Sequence, residues 1–273
     1  MSVVFTLALK EFRDGMRNRW VAATIVLLAG LTLAVALLGS APVGTTKASN
    51  LAVIVASLSS LSVYLVPLIA LMLAYDAIVG EAERGTLLLL LSYPVSRWQI
   101  IAGKFLGHLA ILTVAILVGY GATAAIASYS YISAGEIQPL VSLIGSSILL
   151  AAVFLALGYL LSAMARERAT AAGMAVALWL AMVLLYDFAL IGLLMADTGH
   201  LIGERTFASL LVLNPADAFR IFNLSQLGVG SVAGLGGLGA TVAIPPAVAL
   251  TSMVLWVVVS GALAYVRFGR RDP

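Results

Sequence analysis

The sequence predicts an all-α integral membrane protein with six membrane-spanning helices. Hydrophobic residues make up 62% of its 273 residues, whereas charged residues make up only 10%. Because a soluble domain carries about 25% charged residues, a water-soluble fold of this composition could not cover its own surface. The apolar residues also fall into six long runs, so the whole chain, 1–273, is predicted to form a single transmembrane domain.

Each apolar run is near the roughly 20 residues that a helix needs to cross a ~30 Å hydrocarbon core. Helices are expected because unpaired backbone groups in lipid cost several kcal/mol each. The charged segment before the first run, residues 1–20, is too long for the n-region of a signal peptide. It also contains Glu11 and Asp14, which make it too acidic. We therefore expect the first run to be an uncleaved span. The predicted spans are Val21–Ser40, Leu51–Tyr75, Ile100–Tyr129, Leu140–Met164, Thr170–Ala196 and Ile244–Val266.

Lysine and arginine are distributed unequally between the two sides of this plan. Twelve of the fifteen lie in the N-terminal segment, the second and fourth connections and the C-terminal tail. Only Lys47, Arg205 and Arg220 lie on the other side. The positive-inside rule then predicts a multi-pass protein of a bacterial inner membrane, with both termini in the cytoplasm.

Composition also excludes several classes of function. The net charge is +3, but no basic patch is interleaved with aromatic residues, so we expect no nucleic-acid partner. The chain has no cysteine, which excludes disulfides, thiolate metal sites and cysteine nucleophiles. The eight methionines are scattered and are interpreted as packing residues, so no metal site is predicted.

Residues 1–20 show an amphipathic pattern. Apolar residues recur at spacings of three and four, which predicts a helix lying in the cytoplasmic interface in contact with membrane lipids. A positively charged flank without fixed structure is the alternative. The stripe consists of Phe5, Leu9, Phe12, Met16 and Trp20.

The second connection contains a compact pattern of helix signals. Leu87 to Leu91 predict a short apolar helix bounded by Gly85 and Pro94, and Ser96 with Gln99 forms a capping box that starts the third span. These signals predict a rigid elbow that projects acids and an arginine into the cytosol. An ordinary solvated loop with topogenic charges would be the alternative.

The run G-E-A-E-R-G-T, followed by P-V-S-R and later by G-K, resembles the cytoplasmic loop of ABC-2-type transporter permeases. In that family the loop is a coupling helix that docks on a separate ATPase subunit. The resemblance therefore implies a type V exporter-like fold with a cytoplasmic coupling elbow at residues 76–99. The coupling residues that it implies are Glu81, Glu83, Arg84, Gly85, Thr86, Pro94 and Arg97.

The family resemblance also implies a homodimer that works with two cytosolic ATPase subunits. A phosphate loop needs G-x-x-x-x-G-K-[ST], and the only Gly-Lys pair, Gly103-Lys104, is followed by Phe105. We therefore expect no enzyme activity and no cofactor in this chain, with ATP and Mg bound by the partner ATPase.

The last outward connection, 197–243, contains a helix start. Asn214 suits the N-cap, Pro215 the first helical position and Asp217 the positive end of the helix dipole. Asp217 and Arg220 can pair at i,i+3. These residues predict a short helix before a glycine-rich stretch, in a periplasmic loop or re-entrant segment that gates the pathway.

The element N-P-A-D-A-F-R in this connection is similar to permeases of the copper-processing branch of the ABC-2 family. That similarity implies a role in assembling the copper–sulfur centre of nitrous-oxide reductase. The implied cargo is a sulfur species, with copper as its competitor. It also implies a β-helical accessory protein on the periplasmic face.

Two ionisable residues, His108 and Asp187, lie inside predicted spans near mid-bilayer. Such residues usually face a bundle interior or a cavity, so they are candidates for the translocation path or for a His–Asp pair. A local hydrogen bond, such as one from Asp187 to Tyr186, is the alternative. Gly103 and Gly107 form a G-x-x-x-G pattern, which is a weak packing signal because glycine is common in membrane helices.

Three functions remain open from the sequence. The first is the permease of an ATP-driven transporter. A proton-coupled secondary transporter or channel would use His108 and Asp187, but such pathways usually carry more ionisable groups. A membrane anchor for a periplasmic complex would need no structured cytoplasmic elbow.

Overall fold

The computed structural model describes residues 2–39, 50–130, 137–196, 203–227 and 244–270, and these ranges contain helices and no strands. We number the helices in chain order. They are α1 Val3–Met16, α2 Arg19–Gly39, α3 Asn50–Ala74, α4 Val79–Glu83, α5 Thr86–Ser92, α6 Arg97–Ser130, α7 Ile137–Met164, α8 Arg168–Leu180, α9 Tyr186–Ala196, α10 Glu204–Leu213, α11 Pro215–Gln226 and α12 Pro246–Gly269.

The prediction of six membrane-spanning helices is confirmed. Helices α3, α6, α7 and α12 are each long and apolar enough to cross a membrane, and α2 supplies the first span. The fifth span consists of α8, a π-helical turn at Ala181–Leu185, and α9. Helix α6 has 34 residues and is therefore about 51 Å long, so it extends well beyond a ~30 Å hydrocarbon core.

Helix α7 is the centre of the bundle and packs against α3, α6, α11 and α12. Its Phe154 and Tyr159 are fully buried. In contrast, only 17% of the apolar window of the fifth span and 22% of that of α12 are buried within this chain. These two spans therefore keep wide apolar faces for lipid or for another protein.

Helix α1 docks along the first turns of α6 through Gly103 and Gly107. A Cβ added at Gly103 would lie 2.6 Å from Leu7 Cβ, and one at Gly107 would lie 2.7 Å from Ala8 O. The G-x-x-x-G pattern is only a weak packing signal in the sequence, but in the structure it forms the surface against which α1 packs. Phe5, a member of the predicted apolar stripe, stays 52% exposed on another face of α1. The side chain of Trp20, at the end of that stripe, lies outside the described residues.

We expect Gly107→Ala to lower the free energy of unfolding by about 1–3 kcal/mol, because the added methyl group overpacks the contact with Ala8 and Glu11. Thermal unfolding in detergent or nanodiscs measures this. Gly121→Ala in the same helix is the matched control, since nothing lies within 4 Å of its added Cβ. If both variants unfold at the same temperature, α1 does not dock on α6 as described.

Helices α10 and α11 form a helical hairpin beside the fifth span. Tyr186 Oη donates to Leu210 O at 2.6 Å, and Asn214 Nδ2 donates to Met182 O at 2.6 Å, so α10 runs antiparallel to the span. Met182 is fourteen residues from either end of that span, which places the hairpin tip about 21 Å from each end. Helix α11 then runs back in the same direction as the fifth span, since Arg220 contacts Asp187, which lies after Met182 in that span.

The local signals for the start of α11 are confirmed. Asn214 Oδ1 accepts a hydrogen bond from the Ala216 N–H at 3.0 Å, and Pro215 occupies the first helical position. Most of α11 is buried against α3, α7 and α12. The glycine-rich part of the predicted gate, 228–243, lies outside the described residues.

Candidate coupling site

Helices α4 and α5 form the elbow between the second and third spans. Gly85 joins them in the left-handed conformation with φ of 70°, which glycine adopts at little cost. The elbow is tied to α7 because Ser162 Oγ accepts from the backbone N–H groups of Ile78 and Val79 at 3.0 and 3.1 Å. At its far end, Gln99 Oε1 accepts from the Ser96 N–H at 3.0 Å, as the capping-box signal predicts.

Arg97 ties the elbow to the C-terminal end of α12. Its Nη1 donates to Phe268 O at 2.7 Å and to Gly269 O at 2.9 Å. The guanidinium also lies over the Phe268 ring, with Cζ 5.6 Å from the ring centroid. A cation at a helix C-terminus interacts favourably with the helix dipole, so this contact holds α12 at the same end of the bundle as the elbow. We call that end, formed by α1, α4, α5 and the end of α12, the basal end.

The outer surface of the elbow is apolar and uncovered. Leu87 is buried, whereas Leu88 is 55% exposed and Leu89 is 66% exposed. Tyr93, just after α5, is 66% exposed. A rigid element that presents adjacent large apolar residues, rimmed by polar groups, is typical of a protein interaction surface.

Beneath the elbow lies a buried charged cluster centred on Lys104 of α6. The Lys104 side chain is only 4% exposed, and its Nζ contacts Glu11 Oε1 at 2.9 Å and Glu81 Oε1 at 2.7 Å. One ammonium therefore joins α1, the elbow and the third span. The expectation that the elbow projects its acids into the cytosol is wrong for Glu81, because this buried cation draws the carboxylate inward.

His108, one turn further along α6, belongs to the same cluster. Tyr159 Oη shares a hydrogen bond with His108 Nδ1 at 2.8 Å, and His108 Nε2 lies 3.7 Å from Glu11 Oε2. For Glu11 itself, burial raises the pKa, but the ammonium of Lys104 outweighs burial and holds the pKa of this carboxyl below its usual value. Glu11 is thus a carboxylate at neutral pH.

A second set of contacts joins the elbow to the start of the fifth span. Glu83 Oε1 accepts from the Arg168 N–H at 2.7 Å, which caps the N-terminus of α8. Arg168 Nη2 also donates to Asp76 Oδ2 at 2.9 Å, and Arg84 Nη1 lies 3.9 Å from the same atom. Thr86 Oγ1 donates to Glu81 O at 3.2 Å within the elbow.

A cavity of about 750 Å³ opens between these contacts and the first three spans. Its apolar part is lined by α2, α3 and α6, and its charged part includes Lys104, Glu11, Asp76 and Arg84. The elbow therefore forms one wall of an internal space at the basal end. A movement of the elbow would change the shape of that space.

A family model described as ABC-2 family transporter protein matches residues 5–273. The chain belongs to the ABC-2 transporter family. Two relatives, from Pseudomonas aeruginosa and Stutzerimonas stutzeri, each carry the name "Probable ABC transporter permease protein NosY". Each is 45% identical to this chain, and the alignment covers 99% of this chain and 99% of the relative.

In this ABC-2 permease, the two ionisable residues predicted on the path are not brought together. His108 contacts Tyr159 and Glu11 at the basal end, whereas Asp187 contacts Arg220 of the hairpin at 2.5 Å. The predicted pairing of Asp217 with Arg220 is confirmed at 2.9 Å. The prediction that His108 and Asp187 pair with each other is therefore wrong, because each contacts different residues.

Sequence reasoning missed Lys104 and Glu11 as parts of the elbow's support. They are separated by 93 positions, and nothing local indicates their contact. The available signal was the position of Lys104 between the two glycines of α6, where a neighbouring helix can approach closely. Roles of the coupling residues named from the family resemblance, including exposed Pro94, stay predictions.

Proposed function

We propose that the chain is the membrane permease of an ATP-driven transporter, and that the elbow is the docking site of its ATPase subunit. The observation that carries this proposal is the exposed pair Leu88 and Leu89 on an element tied to α7 by Ser162 and to α12 by Arg97. Because these contacts are direct, a movement of the elbow would be transmitted to α7 and α12.

The orientation follows from the same assignment. ATP is cytosolic, so the basal end with both termini faces the cytoplasm, in agreement with the excess of Lys and Arg there. The hairpin of α10 and α11 then enters from the periplasmic side and closes the pathway at its outer end. ATP-driven closure of the ATPase would shift the elbow and Glu81, open the hairpin end and give alternating access by rigid-body motion.

The names of the two relatives favour a finer assignment within this function. A NosY-type permease would move a sulfur species, or copper, for assembly of the copper–sulfur centre of nitrous-oxide reductase. Two copies of the chain would form the transporter, and the uncovered apolar faces of the fifth span and α12 are candidates for their contact. A β-helical periplasmic protein would bind at the hairpin end.

We expect the double substitution Leu88→Glu, Leu89→Glu to weaken association with the ATPase at least tenfold, because large apolar residues at the centre of an interface carry most of its binding energy. Co-purification with the native ATPase, followed by titration of the purified partners, measures the loss. Arg205→Glu at the hairpin end is the control, since it is exposed but remote from the elbow.

Two results would overturn the proposal. The first is undiminished ATPase binding by the double variant, with thermal stability equal to that of the original chain. The second concerns orientation: because the chain has no native cysteine, Leu89→Cys is a unique label site. Its reaction with a membrane-impermeant thiol reagent in spheroplasts would place the elbow outside the cell.

A further inference from the structure

The hairpin is held against the fifth span by two carboxylates and one guanidinium. Arg220 Nη1 contacts Asp187 Oδ2 at 2.5 Å and Asp217 Oδ1 at 2.9 Å. The Asp217 side chain is 3% exposed, and those of Asp187 and Arg220 are 18% and 21% exposed. If both carboxyls are ionised, the three side chains together therefore carry a net charge of −1.

Each carboxyl group keeps one oxygen that the guanidinium does not satisfy. Asp187 Oδ1 and Asp217 Oδ2 are buried and have no hydrogen-bond partner among the described residues. The two carboxyl groups contact the same nitrogen, Arg220 Nη1, so they are close neighbours. Two carboxylates cannot hydrogen-bond to each other, because both only accept, whereas a protonated carboxyl can donate to a neighbouring carboxylate.

Among the described residues, the helices packed around this group provide no second cation close to it. Helix α11 packs against α3, α7, α10 and α12. Tyr64 of α3 lies under Arg220, with Cζ 5.8 Å from the ring centroid, and Tyr186 neighbours Asp187 in the fifth span. Helix α7 has no charged residue, α12 has only Arg267 near its basal end, and α10 has Glu204 and Arg205 in its first turn.

We propose that Asp187 and Asp217 form a proton-binding pair, which locks the hairpin to the fifth span while one proton is bound. The bound proton makes the group neutral and gives the carboxyl pair a hydrogen-bond donor, which two carboxylates lack. Loss of the proton to solvent leaves two like charges in a poorly solvated site, where only one of them is neutralised by Arg220. The hairpin then loosens from the span.

The direction of the pH dependence follows from burial. Burial, followed by the neighbouring Asp187 carboxylate, raises the pKa of Asp217 well above its ordinary value. A carboxyl in an opened, hydrated hairpin titrates near its ordinary pKa of about 4. Since the closed form has the higher pKa, closure is favoured at low pH, weakens as the pH rises above the ordinary pKa, and loses this contribution once the pH exceeds the raised pKa.

Infrared spectroscopy of the full-length chain in lipid nanodiscs tests the bound proton directly. We expect a C=O stretching band of a protonated carboxylic acid at neutral pH, which disappears at alkaline pH because the pKa of the pair is raised. Asp217→Asn and Asp187→Asn should each remove the band, because the remaining carboxylate then pairs alone with Arg220. Asp76→Asn at the basal end is the matched control and should retain it.

Thermal unfolding gives a second readout that separates the proton from a metal cation. The original chain should lose thermal stability between neutral and alkaline pH, and Asp217→Asn, which mimics the protonated carboxyl, should lose much less. Absence of the carboxyl band at neutral pH in the original chain overturns the proposal, whether or not the variants fold. A stability that depends on sodium or potassium concentration at fixed pH would assign the site to a cation and overturn it equally.

Discussion

Replacing Lys104 by methionine is expected to destabilise the basal end more than any other single substitution there. Methionine matches the length of the lysine stem but removes the ammonium that lies between Glu11 and Glu81. Two carboxylates would then face each other in a site where the lysine side chain was only 4% exposed. Removing one partner of a buried ion pair costs about 3–5 kcal/mol, so we expect a large fall in the thermal unfolding temperature.

The other members of the cluster determine whether this loss is electrostatic. The triple variant Lys104→Met, Glu11→Gln, Glu81→Gln should recover most of the stability, because no uncompensated charge remains. Lys10→Met is the control, since Lys10 contacts Glu11 at 3.1 Å but its side chain is 57% exposed, so its loss should change stability by less than about 0.5 kcal/mol. If the triple variant is no more stable than Lys104→Met alone, the lysine acts through packing rather than charge.

The same cluster is also expected to couple ATP hydrolysis to transport. Glu81 is part of the elbow, and Glu11 is part of α1, so Lys104 constrains both elements to move with the third span. In the proposed transporter, a variant that restores stability without restoring these contacts should hydrolyse ATP with its partner but transport poorly. The triple variant therefore separates the folding role of the cluster from its mechanical role.

Most of the fold could be predicted from the sequence because the bilayer imposes simple rules. Span length, apolar composition and the distribution of Lys and Arg are local properties, and they sufficed for six spans. The start of α11 was predictable for the same reason, since the signals of Asn214, Pro215 and Asp217 act within one helical turn.

The charged clusters could not be predicted, because their members come from distant parts of the chain. Counting residues along a span gives a depth but not the face of the helix that a side chain occupies. Counting along the span predicts His108 near mid-bilayer, but α6 is 34 residues long and its first turns are covered by α1, so His108 meets Glu11. The glycines at 103 and 107 are likewise informative only once the helix that they contact is known.

The fifth span illustrates how a local irregularity can serve a distant contact. Its π-helical turn, Ala181–Leu185, includes Met182, whose carbonyl accepts from Asn214 at 2.6 Å. Such turns leave a backbone carbonyl outside the regular helical ladder, and they often occur at functional sites. The hairpin tip is thus fixed at a point where the span itself departs from α-helical geometry.

The second large effect is expected at the hairpin, from Arg220→Leu. Leucine keeps much of the apolar stem but leaves Asp187 and Asp217 without their shared cation. We expect a loss of about 3 kcal/mol, at the lower end of the range for a broken buried ion pair because the guanidinium is 21% exposed. The loss should be larger at alkaline than at mildly acidic pH, since protons can replace the missing cation only when they are available.

Two further variants distinguish charge from shape at this position. Arg220→Lys keeps the charge on a shorter side chain, so its ammonium should contact the two carboxyls less closely and recover only part of the stability. Arg220→Leu combined with Asp217→Asn removes a charge of each sign and should be more stable than Arg220→Leu alone. Trp256 Nε1 donates to Leu213 O at 2.8 Å, so its fluorescence reports whether the hairpin stays in place. An Arg220→Leu protein with unchanged fluorescence and stability at every pH would mean that the guanidinium does not hold the hairpin to the span.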